Sequence, residues 1–418
     1  MTGIGVDPYL ARYASRTRGL AASEIRALFA VANRPEVVSL AGGMPYTAAL
    51  DLDAVAAVTA EVLRTAGPAA LQYGAGQGLP ALREQLVDVM RAEGVPGHPD
   101  DIVVTTGAQQ GLDLVAKLFC DPGDVVLAEG PAYVGALGAF SAYQAKVLHV
   151  RMDAHGLVPE ALEERLAWLA DNGRIAKFLY TVPNHQNPAG VSLSTARRLE
   201  LAAVAERHDL LIVEDNPYGL LDFKGETQPS LRSLTPERVI YLGTLSKTFS
   251  PGIRVGWVAA AGPVRDKLIL LKEAADLCQS TLTQHVAERW LATQPWQTQV
   301  EEFREIYRGR CETMLDGLAE ELPDGCSWSV PTGGFFVWLR LPEGLDTGEL
   351  LAKALGARVA YVPGSAFYAD GSGVNELRLS FCYPPPERIR EGVRRLAEVL
   401  RAEIELLRAL YGGDWWAP

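Results

Sequence analysis

The sequence is short of cysteine, histidine and positive charge, and it has no long apolar run. Its five cysteines (Cys120, Cys278, Cys311, Cys326 and Cys382) are odd in number, scattered and free of CxxC spacing. That argues against a disulfide framework and against a zinc site. No pair among these cysteines and the six histidines has metal-ligand spacing, so no metal is expected. Lys and Arg total 39 against 51 Asp and Glu, a net charge of −12. A nucleic-acid partner would call for a basic surface, and that footprint is missing. No apolar stretch reaches the roughly 18 residues of a spanning helix. The opening MTGIGVDPYLARY lacks the apolar core of a signal peptide. A reducing, cytoplasmic setting with no membrane or nucleic-acid partner is therefore the expectation. Internal repeats and low-complexity segments are also absent.

What is present is a large apolar reserve, 48% of 418 residues. Such a chain can bury an extensive core, and its length suits two domains. From about 100 to 260, short apolar runs alternate with helical patterns. The runs are DIVVTT (101–106), DVVLAE (124–129), AKVLHV (145–150), KFLYTV (177–182), DLLIVED (209–215), RVIYLGT (238–244) and RVGWVAA (254–260). Several lack polar alternation, as strands buried on both faces do. Helical stretches such as 108–119 and 194–208 lie between them. The rhythm predicts an α/β fold with a mostly parallel sheet of seven strands and helices on both faces. After about 262 it changes to a long helical region (263–322, interrupted near Thr293–Pro295). Strand-like FFVWLRL (335–341), helix 347–356, strand-like ELRLSF (376–381) and a final helix over 386–410 follow. This second part reads as a smaller α+β domain, against which the first 45 residues are expected to pack. The tail GGDWWAP is given no function.

In an open α/β sheet, ligands bind at the carboxyl ends of the strands, so the polar residues there carry the argument. Strand 101–106 ends in TTGAQQGLDL, a glycine turn that opens a helix at Ala108 and Gln109. Helix N-termini present free N–H groups and a positive dipole end, which suits a phosphate, though an ordinary turn reads the same way. Strand 124–129 delivers Tyr133, an aromatic able to stack on a flat ring or simply to fill core. Strand 177–182 ends in PNHQNPAG, a turn signal that also carries the Asn187 amide. Strand 209–215 brings Asp215 and Tyr218, and a carboxylate after so apolar a strand needs a cation or strong donor. Last comes GTLSKTFSPGIRVGW (243–257), where Lys247 stands among Thr244, Ser246 and Arg254. A partly buried amine can serve as nucleophile or base, while a lone turn lysine is more often solvated. GAGQGL (74–79) is not GxGxxG, and no lysine follows a GxxxxG, so neither dinucleotide-binding nor P-loop motifs are present.

In that order the set resembles the fold-type I, class I/II pyridoxal-phosphate aminotransferases, and most closely their 2-aminoadipate/kynurenine/broad-specificity branch. The resemblance runs from about 20 to 405. It rests on SLAGGMP (39–45), QYGAGQGLPALRE (72–84), TTGAQQGLDL (105–114), EGPAYVGAL (129–137), PNHQNPAG (183–190), EDNPYG (214–219), LGTLSKTFSPGIRVGW (242–257), PTGGFFVWL (331–339) and NELRLSF (375–381).

The resemblance implies a large domain over 46–290, a small domain over 291–418 and an N-terminal arm over 1–45. It implies pyridoxal 5′-phosphate held as a Schiff base on Lys247, with Asp215 facing the pyridine nitrogen. Asn187 and Tyr218 would serve the ring oxygen and Tyr133 would stack on the ring. Ala108, Gln109, Thr244, Ser246 and Arg254 would take the phosphate. Relatives often have serine where Ala108 stands, so there only a backbone N–H can serve. Tyr73 would reach the phosphate in the neighbouring subunit of a homodimer. Arg378 would bind the substrate α-carboxylate, and Gly43 would let the substrate approach. Arg26, in ASEIRALF (22–29), would meet the distal end of the substrate. The implied activity moves the amino group of an L-amino acid to a 2-oxo acid, with 2-oxoglutarate as the expected acceptor. Two alternatives stay open: elimination, replacement, C–C bond formation or oxidation on the same scaffold, and a sensor domain without catalysis.

Overall fold

The computed structural model describes residue 7 and residues 9–17 and 34–412. An eight-stranded sheet forms the centre. Its strand order is Ile102–Thr105, Gly256–Ala259, Val239–Thr244, Ile212–Asp215, Ala176–Thr181, Val125–Gly130, Lys146–Asp153 and Gly156–Leu157. Two strands run against the rest. Gly256–Ala259 is antiparallel to both neighbours, and Gly156–Leu157 is antiparallel to Lys146–Asp153.

All seven apolar runs are strands of this sheet. The eighth strand, Gly156–Leu157, has only two residues and is too short to leave a period in the sequence. Four strands, Ile102–Thr105, Ile212–Asp215, Val239–Thr244 and Gly256–Ala259, are buried at every position. That is why they read as continuous apolar runs, because helices cover both faces of a parallel sheet.

The helices begin where local chemistry allows. Asp51 accepts from the Ala54 N–H at 2.9 Å to start Leu52–Ala70, and Asp346 accepts from Gly348 and Glu349 to start Thr347–Gly356. Proline occupies the first turn of Pro80–Ala92, Pro159–Asp171 and Pro386–Tyr411, where its missing N–H costs nothing. The long helical region differs from its sequence reading. It holds three helices, Gly262–Asp276, Thr281–Thr293 and Trp296–Glu321, so a second break falls at 277–280. Leu277 takes a left-handed φ of +61° there, and Ser280 caps the next helix. Neither Gly nor Pro marks that break, so the helical pattern hides it.

A second, antiparallel sheet follows, in the order Ser327–Trp328, Phe336–Arg340, Glu376–Ser380 and Val362–Pro363. Val38–Ser39 pairs in parallel with Val359–Ala360, tying the chain's early part to this region. Pro386–Tyr411 packs against Trp296–Glu321 and buries Ile389, Val393, Leu396, Leu400 and Ile404, with Leu407 partly buried beside them. No described helix is long and apolar enough to cross a membrane. Leu396→Ala, at a fully buried position, should cost about 2–5 kcal/mol through lost transfer energy and a residual cavity. Urea unfolding of the variant beside the wild type measures this as a lower midpoint with an unchanged slope.

Candidate active site

The carboxyl ends of the parallel strands surround a cavity of about 330 Å³. Every predicted site residue lines it except Tyr73 and Arg26. Arg26 and the stretch 22–29 lie outside the described residues, as do 413–418 of the tail. Tyr73 is 79% exposed on a surface loop, away from the cavity of its own chain.

Asp215 ends its strand on the cavity floor and is 4% exposed. Its Oδ2 accepts a hydrogen bond from the Tyr180 hydroxyl at 2.8 Å, while Oδ1 is buried without a hydrogen-bond partner. Burial raises its pKa from the ordinary value to about 6. The Tyr180 bond and the Lys247 charge work in the other direction. An orphaned carboxylate oxygen is costly, and a ring N–H in the cavity would satisfy it.

Lys247 is partly buried, and its Nζ donates to the Gly43 carbonyl at 3.1 Å and lies 5.5 Å from the Phe335 ring centre. Burial lowers its pKa to about 8, helped by the Arg378 and Arg254 charges. A larger fraction of neutral, nucleophilic amine is therefore present near neutrality than for a free lysine. Gly43 approaches so closely that a Cβ there would meet Phe336 at 2.8 Å.

One wall of the cavity is a cup of donors. The glycine turn before helix Ala108–Phe119 has Gly107 at φ +76°, and a Cβ on it would meet the Arg254 guanidinium at 2.4 Å. Arg254 itself adopts φ +52°, donates to the Thr106 carbonyl at 3.1 Å and reaches Ser246 at 3.5 Å. Thr244 donates to Ser246 at 2.9 Å. No carboxylate pairs with Arg254 among the described residues. A guanidinium without a counter-ion beside a helix N-terminus is a ready anion site.

Opposite the cup, Arg378 is 4% exposed on the small sheet. It donates to the Asn187 Oδ1 and the Ala41 carbonyl, each at 2.8 Å, and lies over the rings of Phe336 and Phe367. Its Nε has no partner, and burial lowers its pKa to about 10. The guanidinium stays charged near neutrality and keeps a free donor. Tyr133 stands at the cavity rim, and Tyr218 packs edge-on to Phe335 and Phe336.

Several contributors escaped the sequence reading. Tyr180 is the hydroxyl that holds Asp215, and its signal was a tyrosine inside an otherwise apolar strand, since a buried phenol needs a partner. Phe336 and Met44 line the cavity. The Cys382 thiol donates to the Met44 carbonyl at 3.1 Å behind Lys247, and a lone cysteine after a strand gave no signal. Glu129, 1% exposed, accepts from Thr181 Oγ1, the Val182 N–H and Gln186 Nε2, and so ties the Asn187 loop to the sheet. No group of three or more His, Cys, Asp or Glu suited to a metal occurs among the described residues.

A dry carboxylate, a lysine and two arginines around one cavity at the carboxyl edge of such a sheet define an enzyme that handles a small anionic ligand. The family model for aminotransferase class I and II matches residues 35–396. The aromatic-amino-acid aminotransferase 1 of Thermococcus litoralis is 41% identical over 94% of this chain and 95% of its own length. The solved kynurenine aminotransferase of Pyrococcus horikoshii, in complex with PMP, superposes with a TM-score of 0.90 at 37% identity, covering 94% of this chain and 97% of its own. The α-aminoadipate aminotransferase of Thermus thermophilus, complexed with N-(5′-phosphopyridoxyl)-L-leucine, gives 0.86 at 36% identity over 95% and 99%. The chain belongs to the class I and II aminotransferases, and it is an aminotransferase of fold type I.

The dry carboxylate makes a measurable prediction for the cofactor-free protein. Asp215 has its pKa raised on folding, so its neutral form is preferred in the native state. Below about pH 4 both states hold the proton and burial costs nothing. From there to about pH 6 the unfolded chain releases it first, and stability falls as pH rises. Asp215→Asn should therefore raise the stability of the cofactor-free protein above pH 7 by up to about 3 kcal/mol. The gain should shrink as pH drops towards 4, which thermal melts at several pH values will show.

Proposed function

We propose that the protein transfers the amino group of an L-amino acid to a 2-oxo acid, with 2-oxoglutarate as acceptor and pyridoxal 5′-phosphate as cofactor. The observation that carries this reading is the buried, unpartnered Oδ1 of Asp215 in the same cavity as Lys247. A protonated pyridine nitrogen would supply the donor that this oxygen lacks. Bound there, the cofactor's conjugated ring supplies the electron sink that a deprotonated amino-acid Cα needs.

Each residue has a definite task. Asp215, aligned by Tyr180, would keep a proton on the ring nitrogen. Lys247 would hold the cofactor covalently. Its free amine would remove and return the proton at the substrate Cα, work suited to an amine whose pKa burial has brought to about 8. Thr244, Ser246, Arg254 and the N–H groups of Ala108 and Gln109 hold the phosphate. Asn187 and Tyr218 serve the ring oxygen, and Tyr133 covers the ring. Arg378 takes the α-carboxylate with its fork, backed by Phe336 and Phe367. Gly43 leaves room for the substrate.

The site is completed by a second copy of the chain, whose Tyr73 reaches the phosphate. This is supported by the exposure of Tyr73 and its neighbour Leu71. The enzyme acts in the cytoplasm as a large domain over 46–290, a small one over 291–418 and an arm over 1–45, while Arg26, assigned to the substrate's distal end, lies outside the described residues. Relatives named for aromatic amino acids, kynurenine and 2-aminoadipate support a donor with a long or flat side chain.

Four measurements test this. Mixing the protein with single amino acids and following the cofactor's absorbance identifies the donors. Product analysis must then return the matching 2-oxo acid, and eliminated or oxidised products would overturn transamination. Lys247→Ala should show no steady-state turnover, and retained turnover would refute its role. Arg378→Ala should lower kcat/KM by about 2–4 kcal/mol of transition-state stabilisation, as loss of a charge-assisted fork does. An unchanged kcat/KM would remove it from the site.

A further inference from the structure

Behind the phosphate cup lies a polar chain that the chemistry above does not use. Lys272, on helix Gly262–Asp276, has a fully buried side chain. Its Nζ donates to Asp276 Oδ1 at 3.2 Å, one helical turn on. The other oxygen, Oδ2, accepts from Gln110 Nε2 at 2.6 Å. The Gln110 side-chain oxygen, Oε1, accepts in turn from the Thr106 N–H at 2.7 Å. The Thr106 carbonyl takes Arg254 Nη2 at 3.1 Å. Four hydrogen bonds thus connect a buried ammonium to the glycine turn and to the arginine of the cup.

The chain has a fixed sense. A buried ammonium has to be paired, and Asp276 supplies the charge. A carboxylate only accepts, so the Gln110 amide must turn its NH₂ group towards it. Its carbonyl is then left facing Thr106. The acid on one helix thereby dictates which backbone group of the 105–107 turn is held, and so where the N–H groups that open Ala108–Phe119 point. A second tether comes from the neighbouring segment, where Gln279 Nε2 donates to the Arg254 carbonyl at 3.0 Å. The same stretch also grips the loop that carries Tyr73: Thr281 Oγ1 donates to the Gln72 carbonyl at 2.5 Å.

We propose that Asp276, acting through Gln110 and with its charge balanced by Lys272, is a positioning residue for the phosphate end of the cofactor site. This rests on the cofactor assignment above. Asp276 touches no reacting atom. Its effect falls on the geometry of the turn and of Arg254, and hence on phosphate affinity rather than on ring capture or proton transfer.

The test compares two probes, pyridoxal 5′-phosphate and pyridoxal, titrated by absorbance into the full-length chain stripped of cofactor. Asp276→Asn should weaken binding of the phosphorylated probe about tenfold or more, as loss of an ordered charged hydrogen-bond chain does. Pyridoxal should bind to within about twofold of wild type. Gln110→Met leaves the Lys272–Asp276 pair in place, should fold even where the first variant does not, and should show the same phosphate-selective loss. Equal weakening of both probes would mean a general loosening of the site and would overturn the proposal, as would unchanged binding of the phosphorylated probe by Gln110→Met. Should the wild-type chain itself bind neither probe, the cofactor assignment fails and this inference falls with it.

Discussion

Asp215 closes a four-residue strand buried at every position, and Tyr180 satisfies only one of its two carboxylate oxygens. A charge at that depth is expensive in the empty protein, and its raised pKa is the expression of that expense. The rest of the cavity is arranged around relieving it. Lys247 lies close enough for its charge to favour the ionised carboxylate, and the cup of Gly107, Ser246 and Arg254 offers donors suited to an anion at one end of the same cavity. A ligand with a cationic ring nitrogen at one end and a phosphate at the other meets both demands at once. The binding energy of the remote phosphate and the local need of the carboxylate therefore support each other.

The two arginines divide the cavity by sign and by backing. Arg254 is exposed and held through carbonyls and hydroxyls at the large sheet's edge. Arg378 is buried, stacked on two phenylalanines and fastened to Asn187 and Ala41. One is suited to a strongly charged phosphate that remains partly solvated. The other is suited to a carboxylate that must be desolvated and precisely oriented before Cα chemistry can occur. Asn187 touches Arg378 directly, so each side chain fixes the other's orientation in the cavity.

Much of this was readable from the chain because the sheet obeys a simple rule. Buried parallel strands leave unbroken apolar runs, and the polar residues that end those runs are necessarily at one edge. Asp215, Lys247, Asn187 and the glycine turn at 105–109 were found in that way, and the helices Ala108–Phe119 and Thr347–Gly356 fell where their patterns placed them. Long-range pairings were not readable. Gln110 and Asp276 are 166 positions apart, and Tyr241, buried in the sheet, bonds Glu93 148 positions away. No local pattern encodes such partners, because each residue is unremarkable until the fold sets it beside the other. The break at 277–280 was hidden for a different reason: a leucine took the left-handed conformation for which glycine is the usual sign.

The antiparallel strand Gly256–Ala259 has a consequence for how the site can change over time. Because it pairs back onto Val239–Thr244, with Thr244 opposite Gly256, the stretch 245–255 is a short closed loop between two neighbouring strands. Lys247 and Arg254 both lie inside it. Their spacing is therefore set by local loop closure, which is entropically cheap and stiff at this length, and not by the packing of distant helices. Insertions elsewhere in the crossovers would lengthen surface connections, whereas one residue added inside this loop would shift Lys247 relative to Arg254. The part of the molecule least free to drift is thus a single contiguous stretch, and the substrate-facing walls can vary around it.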